Sequence, residues 1–353
     1  MRTPWTSAVP IVAVFAWASC ALAVAHARAD ESAARELLRM KELIQTGDIW
    51  IVPEETQLRR RMESLPGARR EYFAARRSMR QLRETLTALR SQSQQTRAAI
   101  DQGERQRLRN GLGALAVQTI EKRLEQLRRQ ASEQAGKLER LDAADETSEL
   151  AKAALRLHKA RLELMNQLLW CRRLHAAIGT RYEALRNDPQ VMQAIDRLGG
   201  EARLGPIEPL DIVGRRLARF EEEVLTGAVP LIQRGTQYSF AARLGDVAAT
   251  FSYSGPDGES VVTPSLLKSA GIGVPDGAEQ VTVHIDERRI PAQRITLDSV
   301  RVGTHELRDV PALAVGPEGE DLGARLGGSA FEHYRVELDG PGLLLRLSTR
   351  LAP

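Results

Sequence analysis

The chain has 353 residues, of which 42% are apolar and 27% are charged, and this balance bounds it as a soluble chain of about two domains. Aromatic residues make up only 4% of the chain, which excludes one large core over the whole length and favours long helices. The formal net charge is +4, and the arginines occur in clusters interleaved with glutamate. Because aromatic side chains that could stack on bases are scarce, we interpret the clusters as a solvated helical face and expect no nucleic-acid partner.

The first 29 residues have the features of a signal peptide. Arg2 precedes an apolar run from Val9 to Ala25, and small residues follow that allow cleavage after Ala27 or Ala29. The alternative is an uncleaved membrane anchor, but a run of about 17 apolar residues is at the short limit for crossing a bilayer. We therefore expect an exported protein, periplasmic or extracellular, with no stable membrane span once the signal is cleaved.

Removal of the signal leaves Cys171 as the only cysteine, so we expect no intramolecular disulfide. Cys171 lies in a leucine-rich helical pattern, where a buried thiol is more common than a reactive one. An intermolecular bridge across a helical dimer stays open as an alternative.

Helical patterns follow over residues 30–198. A short amphipathic helix is predicted over 31–45, and residues 47–53 end it. Pro53, Glu54 and Glu55 then begin a long helix, since proline and acidic side chains suit a first helical turn. Trp50 is interpreted as a packing residue where the two helices meet.

Apolar residues between 54 and 187 recur in steps of three and four, which is typical of a coiled-coil seam. The helix breaks are predicted at 110–113 and 142–145, so two or three helices form an antiparallel hairpin. The seam residues are Tyr72, Ala75, Met79, Leu82, Leu86 and Leu89, then Val117, Ile120, Leu124, Leu127, Ala131, Leu138 and Leu141, then Leu150, Ala154, Leu157, Leu164, Leu168, Cys171, Ile178, Tyr182 and Leu185.

The first of these helices is about twice as long as the second, so part of its seam is expected to need a partner helix from a second copy. Polar residues at seam positions weaken the core and are interpreted as setting the register; they are Ser93, Thr96, Gln134 and Arg161. Asn187, Asp188 and Pro189 end the helical region. A linker with a last short helix is predicted over 199–228.

Residues 229–353 predict a compact antiparallel β domain. Short runs of Val, Ile, Leu and Thr alternate with polar residues and close at turn pairs such as Gly245-Asp246 and Asp339-Gly340. Three stretches in this domain carry recognisable motifs. They are Thr263 to Ile272, Leu297 to Gly303 with Val310 and Val315, and Leu326 to Phe331 with Tyr334 to Asp339.

The order and content of these three stretches resemble the single-lobe, retropepsin-like aspartic protease family of secreted bacterial proteins. The resemblance covers about a third of the chain and implies a short helix, a flap hairpin, a strand pair and a closing glycine motif. The predicted fold class is therefore α+β, a long N-terminal helical coiled coil followed by an all-β retropepsin-like domain. An unrelated β domain stays open as an alternative.

The sequence departs from the family where the resemblance places an Asp-Thr/Ser-Gly motif. Here the chain reads Tyr253-Ser254-Gly255, and either Tyr253 or Ser254 takes the place of the catalytic aspartate. The chemistry needs two carboxylates, one from each subunit, that share a proton, because their repulsion separates the two pKa values. A phenol or an alcohol does not accept that proton at neutral pH.

Asp257 is the candidate that could replace the missing acid. The competing interpretation is a Pro256-Asp257-Gly258 turn that closes a hairpin and has no chemical role. The predicted flap tip, residues 284–289, is bulky and charged where the family usually has small residues, which also favours a degenerate site.

Two functions follow from these observations. The first is an exported, non-catalytic scaffold or peptide-binding protein that forms homo-oligomers through its coiled coil and its β domain. The second is an active, dimeric aspartic endopeptidase that uses Asp257 from each subunit. The six histidines show no metal-ligand spacing, and the sequence contains no phosphate loop, so we expect no metal and no cofactor.

Overall fold

The computed structural model describes residues 30–108, 113–142, 145–285 and 287–350. The predicted signal peptide, residues 1–29, lies outside these ranges, so its cleavage or retention stays a prediction. Within the described ranges, none of the helices has both the length and the apolarity needed to cross a membrane.

The described chain contains seven α-helices, of which the last is short. They are α1 over residues 30–40, α2 (Pro53–Arg107), α3 (Ala114–Glu139), α4 (Glu149–Arg186), α5 (Pro189–Leu198), α6 (Leu210–Val224) and α7 (Pro264–Ala270). The start of α2 at Pro53 and the end of α4 at Arg186, shortly before Pro189, agree with the sequence. The predicted helix 31–45 is too long, because α1 stops at residue 40 and Glu42 has a positive φ of 60°.

The contacts of the chain divide it into two compact units. Unit one contains the chain up to Glu63 together with Cys171–Ala218, and unit two contains Ser64–Trp170 together with Arg219–Pro353. Helices α2 and α4 therefore contribute residues to both. The predicted domain limits of 30–198, 199–228 and 229–353 stay predictions.

Unit one holds a small sheet that the sequence did not indicate. Strand β1 (Ile44–Thr46) pairs antiparallel with β2 (Ile49–Ile51), and β2 pairs parallel with β3 (Arg203–Leu204). Trp50 is buried, as predicted for a packing residue, but it lies on strand β2 rather than at a junction of two helices. The strands are two or three residues long and their partner is distant in sequence, so no local periodicity could reveal them.

A buried carboxylate joins three segments of unit one. The Tyr182 hydroxyl donates to Glu55 Oε2 at 2.6 Å, and the backbone N–H of Ile207 donates to Glu55 Oε1 at 2.7 Å. Burial, and then the hydrogen bond to Glu55, raise the pKa of Tyr182. Cys171 is fully buried, and burial raises the pKa of its thiol to about 11. The predicted burial of Cys171 is therefore confirmed.

The described strands of unit two form a sheet in the order β12-β13-β4-β5-β6-β11-β7-β10-β9-β8. Neighbouring strands are antiparallel except for the pairs β6–β11 and β7–β10. The strands are β4 (Ala228–Arg234), β5 (Gln237–Leu244), β6 (Val247–Tyr253), β7 (Val261–Val262), β8 (Gln280–Ile285), β9 (Arg288–Val302), β10 (His305–Val315), β11 (Ala324–Leu326), β12 (Tyr334–Asp339) and β13 (Leu344–Thr349). The chain is thus α+β, as predicted.

Helices α2 and α3 form the predicted antiparallel hairpin in unit two. Arg128 pairs with Glu104 at 2.8 Å, and Arg107 lies 3.9 Å from Glu121. Residue numbers therefore rise along one helix as they fall along the other, which makes α2 and α3 antiparallel. The polar seam residues are buried, as expected; they are Ser93, Thr96, Gln134 and Arg161. Tyr72, Ala75, Met79 and Leu86 of the predicted α2 seam are buried within one chain, so their burial requires no helix from a second copy, whereas Leu82 and Leu89 are half-buried.

The β strands of unit two are held by side chains from α4. The Asn166 side-chain amide donates to the Ala248 carbonyl at 3.2 Å, and its oxygen accepts the Ala248 N–H at 3.1 Å. His158 Nε2 lies 2.9 Å from the Thr250 hydroxyl. These contacts satisfy polar groups along one side of β6, the strand that leads into the predicted catalytic motif.

Candidate functional site

The candidate site is the loop 254–260 that connects β6 to β7. Strand β6 ends at Tyr253, which lies opposite Leu326 of the parallel strand β11, and Ser254 N–H donates to the Leu326 carbonyl at 3.1 Å. The loop is therefore fixed at its first residue by the closing motif, which comes much later in the sequence. This contact places the predicted catalytic motif beside one of the three stretches that carry the family resemblance.

The two residues that the sequence analysis predicts at the place of the catalytic aspartate are Tyr253 and Ser254, and neither carries a carboxylate. The Tyr253 ring packs edge-on against Phe331, with 5.9 Å between ring centroids. Burial and then the charge of Asp257 raise the pKa of Tyr253 above its ordinary value near 10. The Ser254 hydroxyl donates to the Glu259 carbonyl at 3.0 Å. Both oxygens therefore keep their protons at neutral pH.

Asp257 lies in the predicted turn, but this turn closes no hairpin, because β11 lies between β6 and β7 in the described sheet. Gly258 N–H donates to the Gly255 carbonyl at 3.3 Å, which closes a turn over Gly255, Pro256, Asp257 and Gly258. Gly255 has a φ of 90°, a backbone conformation that favours glycine. The Asp257 carboxylate is exposed and, among the described residues, receives no hydrogen bond. Asp257 thus has none of the supporting contacts that orient a catalytic carboxylate.

The closing motif approaches this turn so closely that it requires glycine. Gly328 N–H donates to the Gly258 carbonyl at 3.2 Å, and Gly327 N–H donates to the Ser260 hydroxyl at 3.1 Å. A Cβ added at Gly327 would collide with the Gly258 carbonyl, and one added at Gly328 would collide with the Pro256 carbonyl. Ser260 was not singled out from the sequence, because its role depends on this long-range contact.

Strands β8 and β9 form the hairpin that was predicted as a flap. Their pairing extends to Ile285 opposite Arg288, and Asp286 at the tip lies outside the described residues. The Arg288 guanidinium donates to Asp321 at 2.6 Å and to the Glu318 carbonyl at 2.7 Å. The hairpin tip is therefore tethered to the short helix Pro317–Leu322.

A cavity of about 780 Å³ lies beside the Asp257 turn. Its wall includes the apolar residues Ile295, Ala312 and Leu313, and its polar side chains include Asp257, Glu259 and Arg294. A wall that is mainly apolar with a few charged groups at its edge is typical of a ligand pocket. Among the described residues, no group of three or more His, Cys, Asp or Glu side chains could hold a metal ion.

The comparison with protein families identifies the domain. A family model described as "Aspartyl protease" matches residues 255–330. The match begins at Gly255, directly after Tyr253 and Ser254, and includes the Asp257 turn, both hairpin strands and the Gly327-Gly328 contact. The predicted retropepsin-like domain is confirmed by this match.

A solved structure is also similar to part of the chain. It is described as a retropepsin-like aspartic protease from Rickettsia conorii, with 18% sequence identity and a TM-score of 0.27. The alignment covers 34% of this chain and 87% of that one. No curated protein matches the chain.

Proposed function

We propose that this chain, whose C-terminal strands form a retropepsin-like aspartic protease domain, is an exported protein that binds a peptide or protein and does not cleave it. The observation that carries the proposal is the end of β6, where Tyr253 and Ser254 stand in place of an aspartate. The Ser254 hydroxyl donates a hydrogen bond to the Glu259 carbonyl at 3.0 Å, and the pKa of Tyr253 is raised.

The missing carboxylate removes the acid–base step. An aspartic protease activates water between two carboxylates that share one proton, and neither a neutral phenol nor an alcohol accepts a proton at pH 7. Loss of general acid–base catalysis alone lowers a rate by about 100-fold to 10,000-fold. The fold supplies the shape of a peptide cleft without the group that drives hydrolysis.

Binding is supported by the cavity beside the Asp257 turn. Its apolar wall can accept a hydrophobic side chain, while Asp257, Glu259 and Arg294 can hydrogen-bond to a peptide backbone or to polar side chains. A peptide that contacts these groups would lie against β9 and β10. The proposed ligand class is therefore a peptide segment with at least one apolar side chain.

A second function, an active dimeric endopeptidase, is favoured by one observation. Asp257 is exposed and unsupported in its own chain, so a second copy could supply the contacts that a catalytic carboxylate needs. In that arrangement the two Asp257 side chains would face one another across a two-fold axis and share a proton.

A cleavage assay separates the two functions. The wild-type protein, Asp257→Asn and Glu259→Gln are incubated with a peptide library between acidic and neutral pH, and products are detected by mass spectrometry. Glu259→Gln is the matched control, since Glu259 is an exposed carboxylate in the same loop. We expect none of the three proteins to cleave the peptides. Addition of a transition-state-mimicking aspartic protease inhibitor should leave the detected products unchanged. Cleavage that Asp257→Asn abolishes and Glu259→Gln preserves would establish the endopeptidase instead.

A further inference from the structure

A second cavity in unit two is lined mainly by arginines and apolar side chains. It has a volume of about 620 Å³ and lies between α2 and the strands β4 and β13. We call it the arginine cleft. Its lining residues are Tyr72, Phe73, Arg76, Arg77, Arg80 and Arg83 of α2, with Leu157 of α4 and residues 226–228, 230 and 344 of the β domain.

The arginine cleft has a strong excess of positive charge. Four of its lining residues are arginines, and no carboxylate is among the residues described as lining it. Arg76, Arg77 and Arg80 make no ion pair with any described residue. Arg69, earlier on the same helix, instead forms a paired contact with Glu223, with N–O distances of 2.5 and 2.7 Å.

Arg83 is held in place at one end of the arginine cleft. Its Nε and Nη2 donate to the carbonyls of Gly342 and Leu343 at 2.5 and 2.9 Å. Burial lowers the pKa of Arg83 to about 10, the charge of Asp339 opposes this shift and the charge of Arg346 adds to it. The guanidinium therefore stays charged at neutral pH, and its position is fixed before any ligand arrives.

A buried charge close to the cleft adds to the same potential. Arg161 is 1% exposed, and its three guanidinium nitrogens have no hydrogen-bond partner among the described residues. Burial lowers the pKa of Arg161, Tyr72 opposes this shift, and the neighbouring charge of Arg76, a lining residue, adds to it. An unpaired buried cation is costly, so a nearby anion would be favoured.

We propose that the arginine cleft binds an acidic peptide segment whose carboxylates recur at every third position, with apolar side chains between them. Arg76 and Arg83 are seven residues apart on α2, which places them about 10 Å apart along the helix axis. In the polyproline II conformation, carboxylates three residues apart lie on the same face of a peptide, about 9 Å apart. The apolar lining, which includes Leu157, Pro230 and Leu344, would contact the side chains between them.

A peptide fits this cleft better than a nucleic acid does. The Phe73 ring already carries the Arg69 guanidinium over its face, 5.3 Å from the ring centroid, so it does not offer a free platform for a base. A bare phosphate would contact the arginines but would make no contact with the apolar wall of the cleft. The site is separate from the Asp257 turn, so this inference does not depend on the proposed function.

Fluorescence anisotropy of the full chain tests the inference. The probe is a fluorescein-labelled peptide with glutamate at every third position and leucine and serine between, and its counterpart has glutamine in place of glutamate. The test variant is Arg76→Gln with Arg80→Gln. The matched control is Arg90→Gln with Arg97→Gln, since these arginines are also exposed, lie on α2 outside the cleft and give the same change of net charge.

We expect the glutamate peptide to bind the wild type, with an affinity that falls as salt is added. The Arg76/Arg80 variant should lose at least about tenfold in affinity, the control should stay within about twofold, and the glutamine peptide should not bind. Equal losses of affinity in both variants would show that overall charge, and not the arginine cleft, determines binding, and would overturn the inference. It is also overturned if the wild type does not bind the peptide, or if inorganic polyphosphate or a single-stranded oligonucleotide binds more tightly. Unchanged circular dichroism shows that each variant is folded.

Discussion

The Ser254 hydroxyl makes a hydrogen bond that a carboxylate at the same position could not make. A hydroxyl at the end of β6 donates a hydrogen bond to its own loop, whereas a carboxylate there could only accept. The Ser254 contact to Glu259 therefore stabilises the loop in a form that an aspartate would disrupt. This hydrogen bond is the local basis for our proposal of a binding protein.

His158 links the stability of the β6 region to pH. Burial, and then the charges of Arg161 and Arg234, lower the pKa of His158 to about 4. In the unfolded chain the histidine pKa is about 6.5. Between these two values the unfolded state binds a proton that the folded state does not, so the free energy of unfolding falls as the pH is lowered.

We expect His158→Gln to flatten this pH dependence. Between pH 7 and pH 5 the wild type should lose about 2 kcal/mol of unfolding free energy that the variant keeps. Urea denaturation at the two pH values measures the difference. Parallel losses in the two proteins would show that His158 is protonated in the folded state at pH 5.

The β8–β9 hairpin is held by contacts at its tip. Arg288 bonds to Asp321 and to the Glu318 carbonyl, and the same short helix accepts hydrogen bonds from Ser265 at the start of α7 through Glu320. β8 is an edge strand, so β9 is its single neighbour in the described sheet. The tip contacts therefore limit the motion of the hairpin.

Arg288→Ala should loosen this hairpin without unfolding the domain. Because Arg288 and Asp321 are both partly exposed, we expect less than about 1 kcal/mol of change in global stability. Backbone amides of residues 280–285 should exchange with deuterium several-fold faster, as measured by mass spectrometry. Arg289→Ala, which changes the neighbouring exposed arginine, is the control. Unchanged exchange in Arg288→Ala would mean that strand pairing alone holds the hairpin.

The association of two copies is expected to involve the β domain. The buried seam of α2 needs no second chain, whereas β12 lies at an edge of the sheet and leaves one row of backbone groups unpaired. Leu338 on this strand is 36% exposed. We therefore propose β12 as the surface through which two copies would pair.

Leu338→Lys should shift the protein toward monomer, since a lysine on an edge strand disfavours edge-to-edge pairing. Leu115→Lys is the matched control, because Leu115 is an exposed leucine at the α2–α3 hairpin, 81% exposed. Sedimentation velocity at several concentrations measures the change. A loss of dimer in the Leu115 variant alone would place the association on the helices.

Local patterns predicted much of this molecule. Proline and acidic residues marked the start of α2 at Pro53, the apolar seam predicted which α2 residues are buried, and glycine motifs predicted the fold of the β domain. The Pro256-Asp257-Gly258 turn was likewise readable, because proline and glycine restrict the backbone without help from distant residues. The small sheet of unit one and the role of Ser260 were missed because both depend on partners far away in sequence.

The sequence by itself determined the α+β class, the retropepsin-like domain and the absence of a carboxylate at Tyr253 and Ser254, since these follow from residue identity and short-range periodicity. Only the tertiary structure decided that Ser254 bonds within its own loop, that the polar side chains of α4 support β6, and that Arg76, Arg80 and Arg83 converge on one cleft. The physical reason is that hydrogen bonds and charge depend on distances between atoms, and residues far apart in sequence acquire those distances only when the chain folds.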